Sequence, residues 1–163
     1  MRSLSDDEWT RLREVNIDGV LRLSRDCLPL LRKSDSPSVL TVTSFSVKQP
    51  IPNLLLSNSI RAATVGLTKT LALEHGHEKI RFNSILPGWT STERVTELFE
   101  NRARMKNSSA EQEKQLQEKE IALGRIAEPQ EFAKVAVFLS SPAASYLTGV
   151  MLQLDGGAFK GML

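Results

Sequence analysis

An α/β fold built on a parallel sheet is what this sequence predicts, and three observations lead there. The runs 38–44, 80–86 and 150–154 are short and rich in Val, Ile and Leu. Residues 38–44 are apolar on both faces, as strands buried between two helical layers are. Between the runs lie longer stretches whose apolar residues recur at helical spacing. No repeat and no linker divides the 163 residues, so helices and strands alternate within one domain, 1–163.

Taken in order, Ser5-Asp6-Asp7-Glu8 is a capping box. Ser5 can accept from the third helical amide, and Glu8 can reach back to the cap. Trp9, Leu12, Val15 and Asn16 begin a face that continues through Val20, Leu23 and Cys27. This predicts one long helix ending near Lys33, with Pro29 bending or shortening its last turns. After the first strand, residues 48–52 form a loop. A helix from about Asn53 to His75 follows, closed by Gly76. The strand 80–86 is stopped by Pro87-Gly88. From 91 to 120 the chain turns polar, with a second helix cap at Ser108-Ser109 and a charged helix from Ala110 that reads as mostly solvated and mobile. Pro129 suits a first helical position. Phe132, Val135, Ala136 and Leu139 make the buried stripe of that last helix.

Composition narrows the function. Hydrophobic content of 40% and charged content of 25% are ordinary for a globular protein. A net charge of +2 from 21 basic and 19 acidic residues gives no basis for a nucleic-acid or anionic-membrane partner. The single cysteine, Cys27, excludes an internal disulfide and reads as a core residue. His75 and His77, on either side of Gly76, read as helix-end groups and not as a metal pair. The amino terminus has no apolar run, and no stretch reaches the length of a membrane span. A cytoplasmic protein is the expectation.

The segment 56–74, Leu-Ser-Asn-Ser-Ile-Arg-Ala-Ala-Thr-Val-Gly-Leu-Thr-Lys-Thr-Leu-Ala-Leu-Glu, is the most informative. It resembles the active-site helix of the short-chain dehydrogenase/reductase family, near the branch of the β-ketoacyl-ACP (3-oxoacyl-ACP) reductases. Further segments are similar to the family in order and spacing: 15–20 around Asn16, 41–44 ending in Ser44, 83–92 with Pro87, Gly88, Thr90 and Thr92, 123–131, and 146–157. Ser44 stands thirteen residues before Ser57, the family's usual distance between its active-site Ser and Tyr.

The resemblance implies a Rossmann-like, doubly wound fold and an oxidoreductase that binds NAD or NADP and a small-molecule carbonyl or alcohol. It implies catalytic positions at Asn16, Ser44, Ser57 and Arg61. Cofactor contacts fall at Arg61, Pro87, Gly88, Thr90 and Thr92, a substrate lid at 91–121, and a homo-oligomer, dimer or tetramer. Two departures stand against this. The family's Tyr and Lys are replaced by Ser57 and Arg61. Ser57 is too short to reach a phenol's place, and a serine hydroxyl is a poor acid near neutral pH. Arg61 stays protonated and holds a substrate, a phosphate or an ion-pair partner instead. Ser44 reads either as a retained site residue or as a strand-end cap.

The second departure is the glycine-rich turn that cradles the cofactor pyrophosphate, which none of the nine glycines supplies. The chain thus resembles the carboxyl-terminal, three-stranded part of the fold. Strand 38–44 is expected to carry an unpaired edge, an aggregation liability unless covered, and NAD(P) binding is expected only with the amino-terminal half present. The alternative is a non-catalytic family member acting through assembly with a homologue.

Overall fold

The computed structural model describes residues 5–162; the reading of residues 1–4 lies outside them. Ser5 caps the first helix as its sequence predicts, its Oγ accepting from the Glu8 amide at 3.2 Å while the Glu8 carboxylate takes the Ser5 amide at 3.0 Å. Helix α1 (Asp6–Arg13) runs through a π segment (Glu14–Asp18) into α2 (Gly19–Leu31). The irregularity therefore falls at Asn16 and not at Pro29, which α2 passes through. Pro29 lacks the amide that would bond the Arg25 carbonyl, and the helix ends two residues after it. The Trp9, Leu12 and Val15 stripe is exposed, not buried.

Three parallel strands follow in the spatial order β1-β2-β3: β1 (Ser38–Val42), β2 (Arg81–Pro87) and β3 (Met151–Leu154). Val39 pairs with Phe82, and Ile85 with Leu152. Strand β2 is buried up to its last residue, with Phe82, Ile85 and Leu86 at zero exposure. Its two faces take different helices. Phe82 packs with Leu71 and Ala72 of α3 (Leu55–His75). On the other face, the Arg81 guanidinium donates to the carbonyls of Leu139, Ser140 and Ser141 at 2.7, 3.3 and 3.1 Å. This closes the last turn of α6 (Pro129–Ser140). Phe132, Val135, Ala136 and Leu139 are the least exposed apolar residues of α6, as their spacing predicts.

Between β2 and α6 lie α4 (Glu93–Lys106) and α5 (Ala110–Lys119), which lean chiefly on each other. Ser109 caps α5 in a capping box with Gln112. The buried residue of this charged helix is itself a charge, Glu113, held by Lys106 and Ser108 at 2.8 Å each. Gly76 does not end α3 in the left-handed conformation. The chain tightens through a 3₁₀ turn (Gly76–Glu78), and Lys79 takes the positive φ of 63°. No helix among the described residues is long and apolar enough to cross a membrane.

Candidate functional site

Two of the four expected catalytic side chains, Ser57 and Arg61, meet where β1 ends, while Ser44 and Asn16 bond within their own segments. Arg61, in the second turn of α3, donates through Nη1 to the Thr43 carbonyl at 2.8 Å and through Nε to Ser57 Oγ at 3.2 Å. The i,i+4 spacing of Ser57 and Arg61 puts both on one helix face. Arg61 is thus fixed by neutral oxygens, and among the described residues no carboxylate pairs with it. Ser44 follows Thr43 directly. Its Oγ accepts the Ser46 amide at 3.1 Å and caps the 3₁₀ turn Phe45–Val47. A hydroxyl that accepts here keeps its own hydrogen free to donate. Asn16 turns its amide back to the Leu12 carbonyl at 3.0 Å, and its own carbonyl accepts the Thr64 hydroxyl at 2.8 Å. The π segment makes this meeting with α3.

Pro87, Gly88, Thr90 and Thr92 lie on a separate wall, at the end of β2 and in the link to α4. Gly88 donates to the Leu154 carbonyl at 2.9 Å, and a Cβ there would stand 2.7 Å from Asp155 Cα. Glycine is required by that backbone approach. Thr90 bridges to Ala127. Thr92 starts α4 with extended backbone, and its hydroxyl makes no capping bond.

Two hollows flank these residues. One, of about 420 Å³, follows β1 and takes in Asn16, Arg61 and Thr64. Cys27 lines it instead of sitting in the core. The ladder orients β1 toward it: the Pro37 carbonyl and the Thr43 amide bond to β2, so the alternation of a parallel pair turns the backbone groups of Ser38, Leu40 and Val42 away from β2. The expected free edge is present among the described residues. The second hollow, of about 640 Å³, lies between α1 and the loop that enters α3, with Ser57 in its wall.

Sequence reasoning missed the threonines behind the site. Thr41 Oγ1 meets Thr68 Oγ1 at 3.0 Å and Ser84 Oγ at 2.8 Å, and Thr68 donates to the Thr64 carbonyl at 2.9 Å. The i,i+4 spacing of Thr64 and Thr68 was the available signal. Lys48 was missed as well. It donates to Gln153 Oε1 at 3.3 Å and lies 5.9 Å from the Phe159 ring centre. Nothing in the loop pattern marks it. Among the described residues no cluster of His, Cys, Asp or Glu is placed to hold a metal.

Residues 1–158 match the family model described as Enoyl-(Acyl carrier protein) reductase. The chain is 34% identical over 154 residues to the meso-2,3-butanediol dehydrogenase of Serratia marcescens, covering 94% of this chain and 57% of that one. It is similar to the crystal structure of L-sorbose reductase from Gluconobacter frateurii complexed with NADPH and L-sorbose. The TM-score is 0.92 at 26% identity, over 99% of this chain and 62% of that one. A short chain oxidoreductase from Pseudomonas aeruginosa, NADPH-bound and described as containing an atypical catalytic center, has a TM-score of 0.82 at 27% identity. It is covered to 59%, against 96% of this chain. The chain spans about half the length of the curated relatives it matches, between 44% and 58%.

Proposed function

Because the chain belongs to the short-chain dehydrogenase/reductase family, we propose that it takes part in NAD(P)-linked interconversion of a small-molecule carbonyl and its alcohol. The observation that carries this reading is Arg61, whose two hydrogen bonds hold the strand end beside Ser44 and the Ser57 hydroxyl together. The relative with an atypical catalytic center is NADPH-bound, so departure at the centre is compatible with nucleotide binding in this family.

Residues 87–92 fit the nicotinamide end of the cofactor, since the Thr92 hydroxyl is uncommitted and Gly88 leaves the strand end without a side chain. No glycine-rich turn among the described residues suits the pyrophosphate, so the fit concerns that end alone. When bound, the nicotinamide supplies or accepts the hydride. Ser44 donates its free hydrogen to the substrate oxygen and polarises the carbonyl. The Arg61 guanidinium offsets charge that develops on that oxygen. The proton reaches the oxygen from water held near Asn16 and Arg61, because Ser57 is a weak acid.

One observation favours the second reading, assembly with a homologue or with further copies into a dimer or tetramer. Val137 and Phe138 of α6, Tyr146 and Met151 are exposed apolar or aromatic groups beyond the site. A cytoplasmic setting and lid motion of residues 91–121 belong to the same proposal. The test is NADPH-dependent reduction of a ketone panel. A Ser44→Ala variant should lose about 10²-fold in kcat/KM, and equal rates in both proteins overturn the catalytic reading.

A further inference from the structure

The hollow beside Ser57 says what kind of carbonyl compound the site takes. Its walls are Leu12 of α1, Pro50, Ile51 and Pro52 of the loop, and Leu55 and Leu56 of α3. Its polar side chains are Asn53, Ser57 and Asn58; none of its lining side chains carries a charge. Asn58 is spent on the loop, its Oδ1 accepting the Ile51 amide at 3.4 Å and its Nδ2 donating to the Ile51 carbonyl at 2.9 Å. Ser57 Oγ already accepts from Arg61.

This apolar surface is held open. Leu12, Leu54 and Leu55 are 36%, 42% and 51% exposed. A loop free to move would fold such groups inward. Here the two prolines fix their own φ, the Leu54 amide bonds to the Ile51 carbonyl at 3.3 Å, and Asn58 clamps Ile51 to α3. A rigid apolar cleft of about 640 Å³, within the common size range for small-ligand pockets, gains most by taking an apolar group from water.

Resting on the reading of the site as a carbonyl site, we propose that its substrate carries a neutral alkyl or aryl group, lodged between Leu12 and the 50–56 loop with the carbonyl toward Ser57 and Ser44. A polyhydroxylated substrate such as the L-sorbose bound by the Gluconobacter relative would bury several hydroxyls against leucine and proline. Unpaired hydroxyls in such a wall cost binding.

The test is binding to the full chain without nucleotide, followed by NMR on the backbone amides of Ile51 and residues 53–57, with 2-octanone and L-sorbose as probes. The expected result is saturable shifts at these amides with 2-octanone, none with L-sorbose, and at least tenfold weaker ketone binding in Leu55→Asp. Leu55 is exposed enough for that variant to fold. L-sorbose shifting these amides, ketone shifts elsewhere, or an unweakened Leu55→Asp variant each overturn the proposal. So do concentration-dependent shifts without ligand, which assign the patch to contact between copies. A chain that binds 2-octanone here but never oxidises NADPH keeps this inference and loses the catalytic one. NADPH oxidation with sugars alone does the reverse.

Discussion

The sheet and the α4–α5 pair reach stability by opposite means. Around β2, Ile80, Phe82, Ile85 and Leu86 are at zero exposure, packed by α3 on one side and α6 on the other. The α4–α5 pair rests on a smaller cluster, Phe99, Ile121, Ile126 and Ala158, and completes it with charge. Trp89 and Phe99 stack 5.6 Å apart, with the Arg102 guanidinium 4.9 Å from the Trp89 ring centre. Glu113 ties the turn between the helices through Lys106 and Ser108. Dehydrated packing has no charge for salt to screen and no proton to gain in acid, whereas a charged clasp on a small core has both. The lesson is that α4–α5 is the part of the molecule able to open while the sheet stays intact.

The sharpest way to break the comparison is Phe82→Ala. Emptying that site is expected to cost about 3–5 kcal/mol and to lower a single global thermal transition, α4–α5 included. If only local exchange changed, the sheet would not be the stable half. Glu113→Gln comes next. It keeps the shape and the Ser108 bond but loses the ion pair with Lys106. Roughly tenfold faster amide exchange is expected across α4 and α5, with β2 amides unchanged. A fall in β2 protection would mean the two regions open together.

The smallest effect sharpens the sheet side. Glu78 accepts from Arg32 at the end of α2 and meets His75 Nδ1 at 2.7 Å. The Arg32 guanidinium, with His75 second, holds its carboxyl at about 2, against an ordinary value of 4.5. A lowered folded pKa means the contribution is present above 4.5 and is lost as pH falls toward 2. Thermal midpoints should therefore decline over that window and decline less in Glu78→Gln, which has nothing to protonate. Parallel declines in the two proteins would remove Glu78 from the account.

How much of this was legible follows from which forces are local. β2 was readable because Ile80, Phe82, Ile85 and Leu86 are apolar, although the strand runs through Pro87, which pairs with Leu154, instead of stopping before it. The spacing of Phe132, Val135, Ala136 and Leu139 gave α6. Asn16, Ser44, Ser57 and Arg61 were all singled out from sequence, yet their geometry was not. The Arg61 bond to Thr43 depends on how α3 docks on β1, and no periodicity encodes that. The left-handed residue proved to be Lys79 and not Gly76, because the helix tightened before it ended. Glu113 read as solvated, since pairing across the α4–α5 turn cannot be seen along one helix. Cys27 read as core, and the Trp9 stripe as a helical face, because apolar spacing announces a face without saying what covers it.

One consequence of the β1 register reaches solvent directly. In a strand bonded on one side only, protection is a property of parity. In deuterated water, Val39, Thr41 and Thr43 keep their amide hydrogens against β2, while Ser38, Leu40 and Val42 present theirs to the groove. The strand is a comb with every second tooth labelled, and whatever comes to lie along that edge would silence the labelled teeth alone.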